Sequence, residues 1–188
     1  MLYLDRDEVY PVTRITTGVF GEPGGHRYLL QAQFGPDVFS WMLNQRQAMV
    51  LVRQLPKLLA DIQREYPELQ DPLVAAQPNL ALSDPVTPLF RVGRISLGYD
   101  RIHDLVVLTL IDADALVAML DFDENESEQR GHQIYATRGQ ALLLSQHTEQ
   151  VVAAGRPYCP VCDEPIDETG HFCMPATARD RQTGELLH

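Results

Sequence analysis

The chain has 188 residues, 45% of them hydrophobic, which is enough for one sizeable core and excludes a disordered polymer. Its 26 acidic and 15 basic residues leave a net charge of −11, which argues against a surface that displaces counterions from nucleic acid. The longest strongly apolar run, Leu105 to Ile111, is far too short to span a membrane, and no charged and apolar leader opens the chain, so a cytoplasmic protein is expected.

Along the chain, Val9 to Leu43 reads as β-rich. Ile15 to Phe20 and His26 to Phe34 flank Gly21-Glu22-Pro23-Gly24-Gly25, a segment with hairpin-loop residues, and Tyr28, Leu30, Ala32 and Phe34 alternate along one face. A third strand, Val38 to Leu43, follows the Gly35-Pro36-Asp37 turn. The period then changes: Ala48, Leu51, Val52, Leu55, Leu58, Leu59 and Ile62 recur at three and four, the stripe of a core-facing helix. Pro56 inside this stripe is expected to kink the helix or to open a second one.

Five prolines punctuate residues 67–88, which reads as a connector. Beyond it the opening pattern returns, with strands predicted over Phe90–Leu97, His103–Ile111 and Ala113–Phe122 and a helix from about Thr137 to Ala154. Gln47-Ala48-Met49-Val50-Leu51 echoes Gln140-Ala141-Leu142-Leu143-Leu144, and Gly18 and Gly93 fall at similar places in the two halves. The expected architecture is α+β: two β-β-β-α repeats packed together, residues 1–66 and 89–154, joined by the connector and followed by a tail, 155–188. A three-stranded sheet with one helix is marginal alone, so each half would need the other to cover its apolar face.

The tail holds all three cysteines, as Cys159-Pro160-Val161-Cys162 and then Gly170-His171-Phe172-Cys173. A C-x-x-C turn brings two thiolates to one ion, and an extended segment presents His171 and Cys173 on one face. Cys159, Cys162, His171 and Cys173 would complete a zinc tetrahedron with no open position, the pattern of a structural site. A redox pair would instead begin a helix after a buried strand, whereas a turn-rich loop follows here. A catalytic zinc would need one of the four ligands to leave the ion. Thiols gathered at a metal, in odd number, fit a reducing compartment.

Other motifs point to less. The glycine-rich loop leads into a strand rather than a helix, unlike a phosphate loop. The acidic run Asp121, Asp123, Glu124, Glu126 and Glu128 lacks the central glycine and closing glutamate of a calcium loop. His26, His103, His132 and His147 are scattered, with no nucleophile assignable to any of them, and Trp41 reads as a core anchor.

The stretch Thr17-Gly18-Val19-Phe20-Gly21-Glu22-Pro23-Gly24-Gly25-His26-Arg27-Tyr28 resembles the opening signature of a bacterial family catalogued as domain of unknown function 3090 and labelled a repeat protein. Phe90-Arg91-Val92-Gly93, Gly155-Arg156-Pro157-Tyr158-Cys159-Pro160-Val161-Cys162 and Gly170-His171-Phe172-Cys173 are similar to its other landmarks, so the resemblance covers nearly the full length. It implies a cytoplasmic protein without an established activity. Asn44 and Gln45 stand where that family usually carries an acidic and a basic residue, and Met174 stands where proline usually follows the last cysteine.

Two functions follow as expectations. The first is a non-catalytic, zinc-binding adaptor or regulatory protein with an unknown protein partner, binding neither nucleic acid nor membrane. The alternative is an enzyme with a site between the halves, using Arg27, Gln31, Arg91 or Arg94 on an acidic or phosphorylated small molecule. A deep cleft with buried arginines would favour the enzyme, and a shallow surface the adaptor.

Overall fold

A computed structural model of the protein describes residues 9–20, 27–74, 79–84, 86–121 and 131–154, with the side chains of 118–121 excepted. The elements are β1 (Arg14–Phe20), β2 (Arg27–Phe34), β3 (Asp37–Leu43), α1 (Gln45–Glu65), β4 (Pro88–Asp100), β5 (Leu105–Asp112), α2 (Ala113–Asp121), β6 (Gly131–Thr137) and α3 (Arg138–Ala154). The fold is α+β, with one six-stranded mixed sheet in the order β1-β2-β3-β4-β5-β6. Two antiparallel meanders, β1-β2-β3 and β4-β5-β6, are joined where β3 and β4 run parallel, at Ser40–Pro88 and Met42–Arg91.

The sheet is strongly curved. In a flat sheet β3 and β6 would lie about 14 Å apart, three strand spacings. Yet the rings of Trp41 on β3 and His132 on β6 approach to 5.7 Å between centroids. The two edges also touch, because the Val12 N–H, just before β1, donates to the Tyr135 carbonyl of β6 at 2.8 Å.

The concave face carries the core: Ile15, Tyr28, Leu30, Ala32, Trp41 and Leu43 from the first meander, Val106, Leu108, Leu110, Ile134 and Ala136 from the second. Against it pack α1, through Ala48, Leu51, Leu55 and Ile62, and α3, through Ala141, Leu144 and Val152. The alternation read along β2 is therefore real. The intervening Leu29 and Gln31 are buried as well, because residues 79–83 cross the other face of β1 and β2. Gly18 makes this crossing possible: a Cβ there would stand 2.5 Å from Leu82 Cγ.

Two sequence expectations change and a third is narrowed. Residues 113–121 are the helix α2, not a third strand, and the third strand of the second meander is β6. Short apolar runs do not separate helix from strand by periodicity. Here the Asp112 carboxylate accepts the Asp114 N–H at 3.0 Å and starts the helix, while Gly93 lets Ala113 lie against β4. Strand β4 also runs on past the predicted end at Leu97 to Asp100, and the turn falls at 101–104.

Finally, Pro56 lies within one continuous 21-residue helix and does not open a second. Proline offers no N–H to the carbonyl four residues earlier, that of Val52. The Ser145 hydroxyl of α3 donates to this Val52 oxygen at 3.2 Å, so the break in the ladder of α1 becomes a helix–helix contact.

Both long helices start with the same device. The Asn44 side chain accepts the Gln47 N–H, and Gln47 Oε1 accepts the Asn44 N–H, each at 2.9 Å. At α3, Thr137 Oγ1 accepts the Gln140 N–H at 3.2 Å, and Gln140 Oε1 accepts the Thr137 N–H at 2.9 Å. Each glutamine then donates through Nε2, at 2.7 Å, to a backbone carbonyl of the other half: Gln47 to Val92 and Gln140 to Val12.

Trp41 Nε1 donates to His132 Nδ1 at 3.0 Å, which fixes the neutral tautomer with its proton on Nε2, and Phe90 approaches the imidazole edge-on at 5.2 Å. Burial holds the His132 pKa below its ordinary 6.5. Below that value the unfolded chain binds the proton first, so stability is full above about 6.5 and falls as pH drops towards the folded value. The urea midpoint should therefore fall between pH 7.5 and pH 5. His132→Gln, whose amide oxygen can accept the indole proton, should flatten this fall, and an unchanged pH profile in that variant would count against His132 as its cause.

Candidate functional site

The proposed zinc ligands Cys159, Cys162, His171 and Cys173 lie outside the described residues, as do Gly21–Gly25, His26 and residues 123–128 of the acidic run. Among the described residues no group of three His, Cys, Asp or Glu is placed to hold a metal. The three described histidines are engaged with nearby groups. His103 Nδ1 lies 2.8 Å from Asp100, His132 accepts from Trp41, and His147 Nε2 lies 3.0 Å from the Thr17 carbonyl. Nor do the four polar strand residues converge. Arg27, Arg91 and Arg94 are exposed, Arg91 meeting Asp114 only at 3.5 Å, and Gln31 is buried in a network of its own.

A concavity lies where the two ends of the sheet meet. It measures about 980 Å³ and is bounded by the stretch Val9–Ile15, by residues 68–73, by His103–Leu105 and by the start of α3. Both halves and the connector contribute to its wall.

Local chemistry builds that wall in steps. The Asp100 carboxylate accepts the N–H groups of Ile102 (2.9 Å) and His103 (3.3 Å) and so folds the β4–β5 turn. The turn ends at Asp104 in the left-handed region, φ 53°, a conformation aspartate tolerates better than most residues. From there the Asp104 carboxylate accepts Arg138 Nε at 2.8 Å, Arg138 Nη2 at 3.1 Å and the Tyr99 hydroxyl at 2.8 Å. Burial alone would raise the Asp104 pKa, but the donors Arg138 and Tyr99 outweigh it and hold the carboxyl below its ordinary value. Tyr99 is pushed up to about 12, first by burial and then by its bond to Asp104. On the opposite wall the Leu73 carbonyl sits directly over Gly139, where any Cβ would collide with it.

The charges inside are therefore already spent. Arg138, 8% exposed, is matched by Asp104. Arg14 gives Nη1 to the Asn79 and Ala81 carbonyls at 2.9 Å each, and Nη2 to Gln31 and Ser83. Of the lining hydroxyls, Thr13 donates to the Gln33 carbonyl and Thr137 caps α3. No serine or cysteine is among the described lining residues. Among the described residues this arrangement shows no nucleophile with a base beside it.

The mouth differs from the interior. Leu73 is 86% exposed, Ile102, next to the lining His103, 89%, and Tyr10, between the lining Val9 and Pro11, 63%. Glu68 and Asp71 stand beside them, and neither side chain has a partner among the described residues. Sequence reading missed this cluster because Asp104 and Arg138, or Tyr10, Leu73 and Ile102, share no spacing that marks them as neighbours.

In comparison with known proteins, residues 8–173 match the model of a family described as protein of unknown function (DUF3090). No curated protein and no solved structure matches the chain significantly.

Proposed function

Because the chain belongs to the DUF3090 family, whose description assigns no activity, we propose its function from its own geometry: a non-catalytic adaptor or regulatory protein that receives a protein partner at the seam between its halves. The observation that carries this reading is the contrast at the seam cavity, where the interior charges are mutually satisfied while the mouth exposes large apolar side chains. Apolar groups gathered at one mouth suit association better than chemistry.

The framework of this reading is a duplicated β-β-β-α unit, with α2 inserted in the second copy. Its support is the pair of matched capping boxes, each glutamine reaching into the opposite half, and the matched close approaches at Gly18 and Gly93. The tail adds a structural zinc on Cys159, Cys162, His171 and Cys173, a thiolate-rich set suited to a closed tetrahedral site. A cytoplasmic setting belongs to the same reading, since it keeps such thiols reduced. No described helix is long and apolar enough to cross a membrane, and the net charge of −11 disfavours nucleic acid.

A second reading, an enzyme acting on an acidic or phosphorylated small molecule, draws on the buried Arg138 in an inter-half cavity. It is weaker because Asp104 already neutralises that arginine and Arg14 is occupied by four neutral acceptors.

Affinity capture of the full chain from its own cells tests the adaptor. A partner retained in defined ratio is expected, and recovery of the chain alone overturns the reading. Elemental analysis of the same preparation should give about one zinc per chain, with Cys159→Ser lowering it sharply. A folded, metal-free protein with reactive thiols would overturn the zinc assignment.

A further inference from the structure

The three exposed apolar side chains at the seam, Tyr10, Leu73 and Ile102, come from three separate segments that line or flank one cavity. Scattered singly they would need no explanation, but Leu73 lines the cavity and Tyr10 and Ile102 each adjoin a residue that does, so association at this rim would draw on all three segments. The charge beside this rim is one-sided. Glu68 and Asp71 show no hydrogen bond or ion pair among the described residues, whereas basic side chains nearby are committed: Arg101 lies over the Tyr66 ring at 5.1 Å, and His103 Nδ1 lies 2.8 Å from Asp100.

We propose that this mouth docks a short basic and apolar segment of a partner protein, its apolar side chains seated on Tyr10, Leu73 and Ile102 and its lysines or arginines facing Glu68 and Asp71. The inference rests on the adaptor reading and adds the site and the chemistry of the partner. Charge selects among occupants. A second copy of the chain brings another −11, and nucleic acid or an anionic lipid surface brings like charge to the same carboxylates. A basic protein segment is drawn to them, and the apolar rim gives it area to bury.

The test uses the full chain as bait for a displayed library of random twelve-residue peptides. Enriched peptides should combine Lys or Arg with Leu, Ile or aromatic residues, and should bind less tightly as NaCl is raised from 50 to 500 mM. Two variants confined to exposed side chains, Glu68→Lys with Asp71→Lys and Leu73→Ser with Ile102→Ser, should each weaken binding about tenfold or more while melting as the parent does. Acidic peptides, no enrichment, or binding to both variants as tight as to the parent would overturn the proposal. So would self-association of the parent chain that these variants abolish, which would give the face to a second copy. A partner captured from cells that binds the variants undiminished removes this site and leaves the adaptor standing, whereas a parent chain that captures no partner removes the adaptor itself.

Discussion

Trp41→Ala should cost about 3–5 kcal/mol, the range for deleting a fully buried indole. Trp41 is 1% exposed and lies in the main core, on the strand where the first meander meets the second. Its truncation opens a cavity there and also strips His132 Nδ1 of the indole proton it accepts. Trp41→Phe keeps an aromatic ring but loses that donor, so it should fall between the two. Since this is the only tryptophan, unfolding is best followed by circular dichroism in urea rather than by fluorescence. A loss below about 1 kcal/mol for the alanine variant would mean that the meanders do not depend on this contact.

Gln31→Leu comes next in size, at about 2–4 kcal/mol, for a different reason: it breaks a satisfied polar network rather than a packed core. Gln31 is 1% exposed and uses both ends of its amide. Nε2 donates to the Ser83 carbonyl (3.0 Å) and to Ser40 Oγ (3.2 Å), while Oε1 accepts from Arg14 (2.9 Å) and from the Ser83 N–H (2.8 Å). Leucine fills the volume but leaves the Ser83 N–H and carbonyl and Ser40 Oγ without their Gln31 partner, and takes from Arg14 Nη2 one of its two acceptors. The effect should concentrate in residues 79–83, so protease cleavage there and exchange of the Ser83 amide should speed up more than global unfolding does. Equal acceleration throughout the chain would show that the connector is not held by this residue.

These two sites differ in how far the sequence exposes them. Trp41 sits in a strand whose position could be read from the pattern of residues 38–43, and its role as a core anchor follows from its size and apolarity. Gln31 reads as a polar residue facing away from an alternating apolar face. Nothing local says that a proline-rich segment fifty residues later will cover it. The same limit explains the strand predicted over 113–122, where a short apolar run suits either period and only the Asp112 cap and the approach allowed by Gly93 decide for a helix.

By itself the sequence determined what depends on near neighbours: the first three strands, the stripe of α1, the start of α3 near Thr137, the α+β class and the family. It also placed Gln47 and Gln140 at matching points, although not what their amides would reach. Only the tertiary structure decided how the sheet curves, that Val12 meets Tyr135, that Asp104 answers Arg138, and that the segments bearing Tyr10, Leu73 and Ile102 border one cavity. The physical reason is range. Capping and hydrophobic period act over three or four residues and are written in spacing, whereas ion pairs and cavities join residues whose separation along the chain is set by the path of the whole sheet.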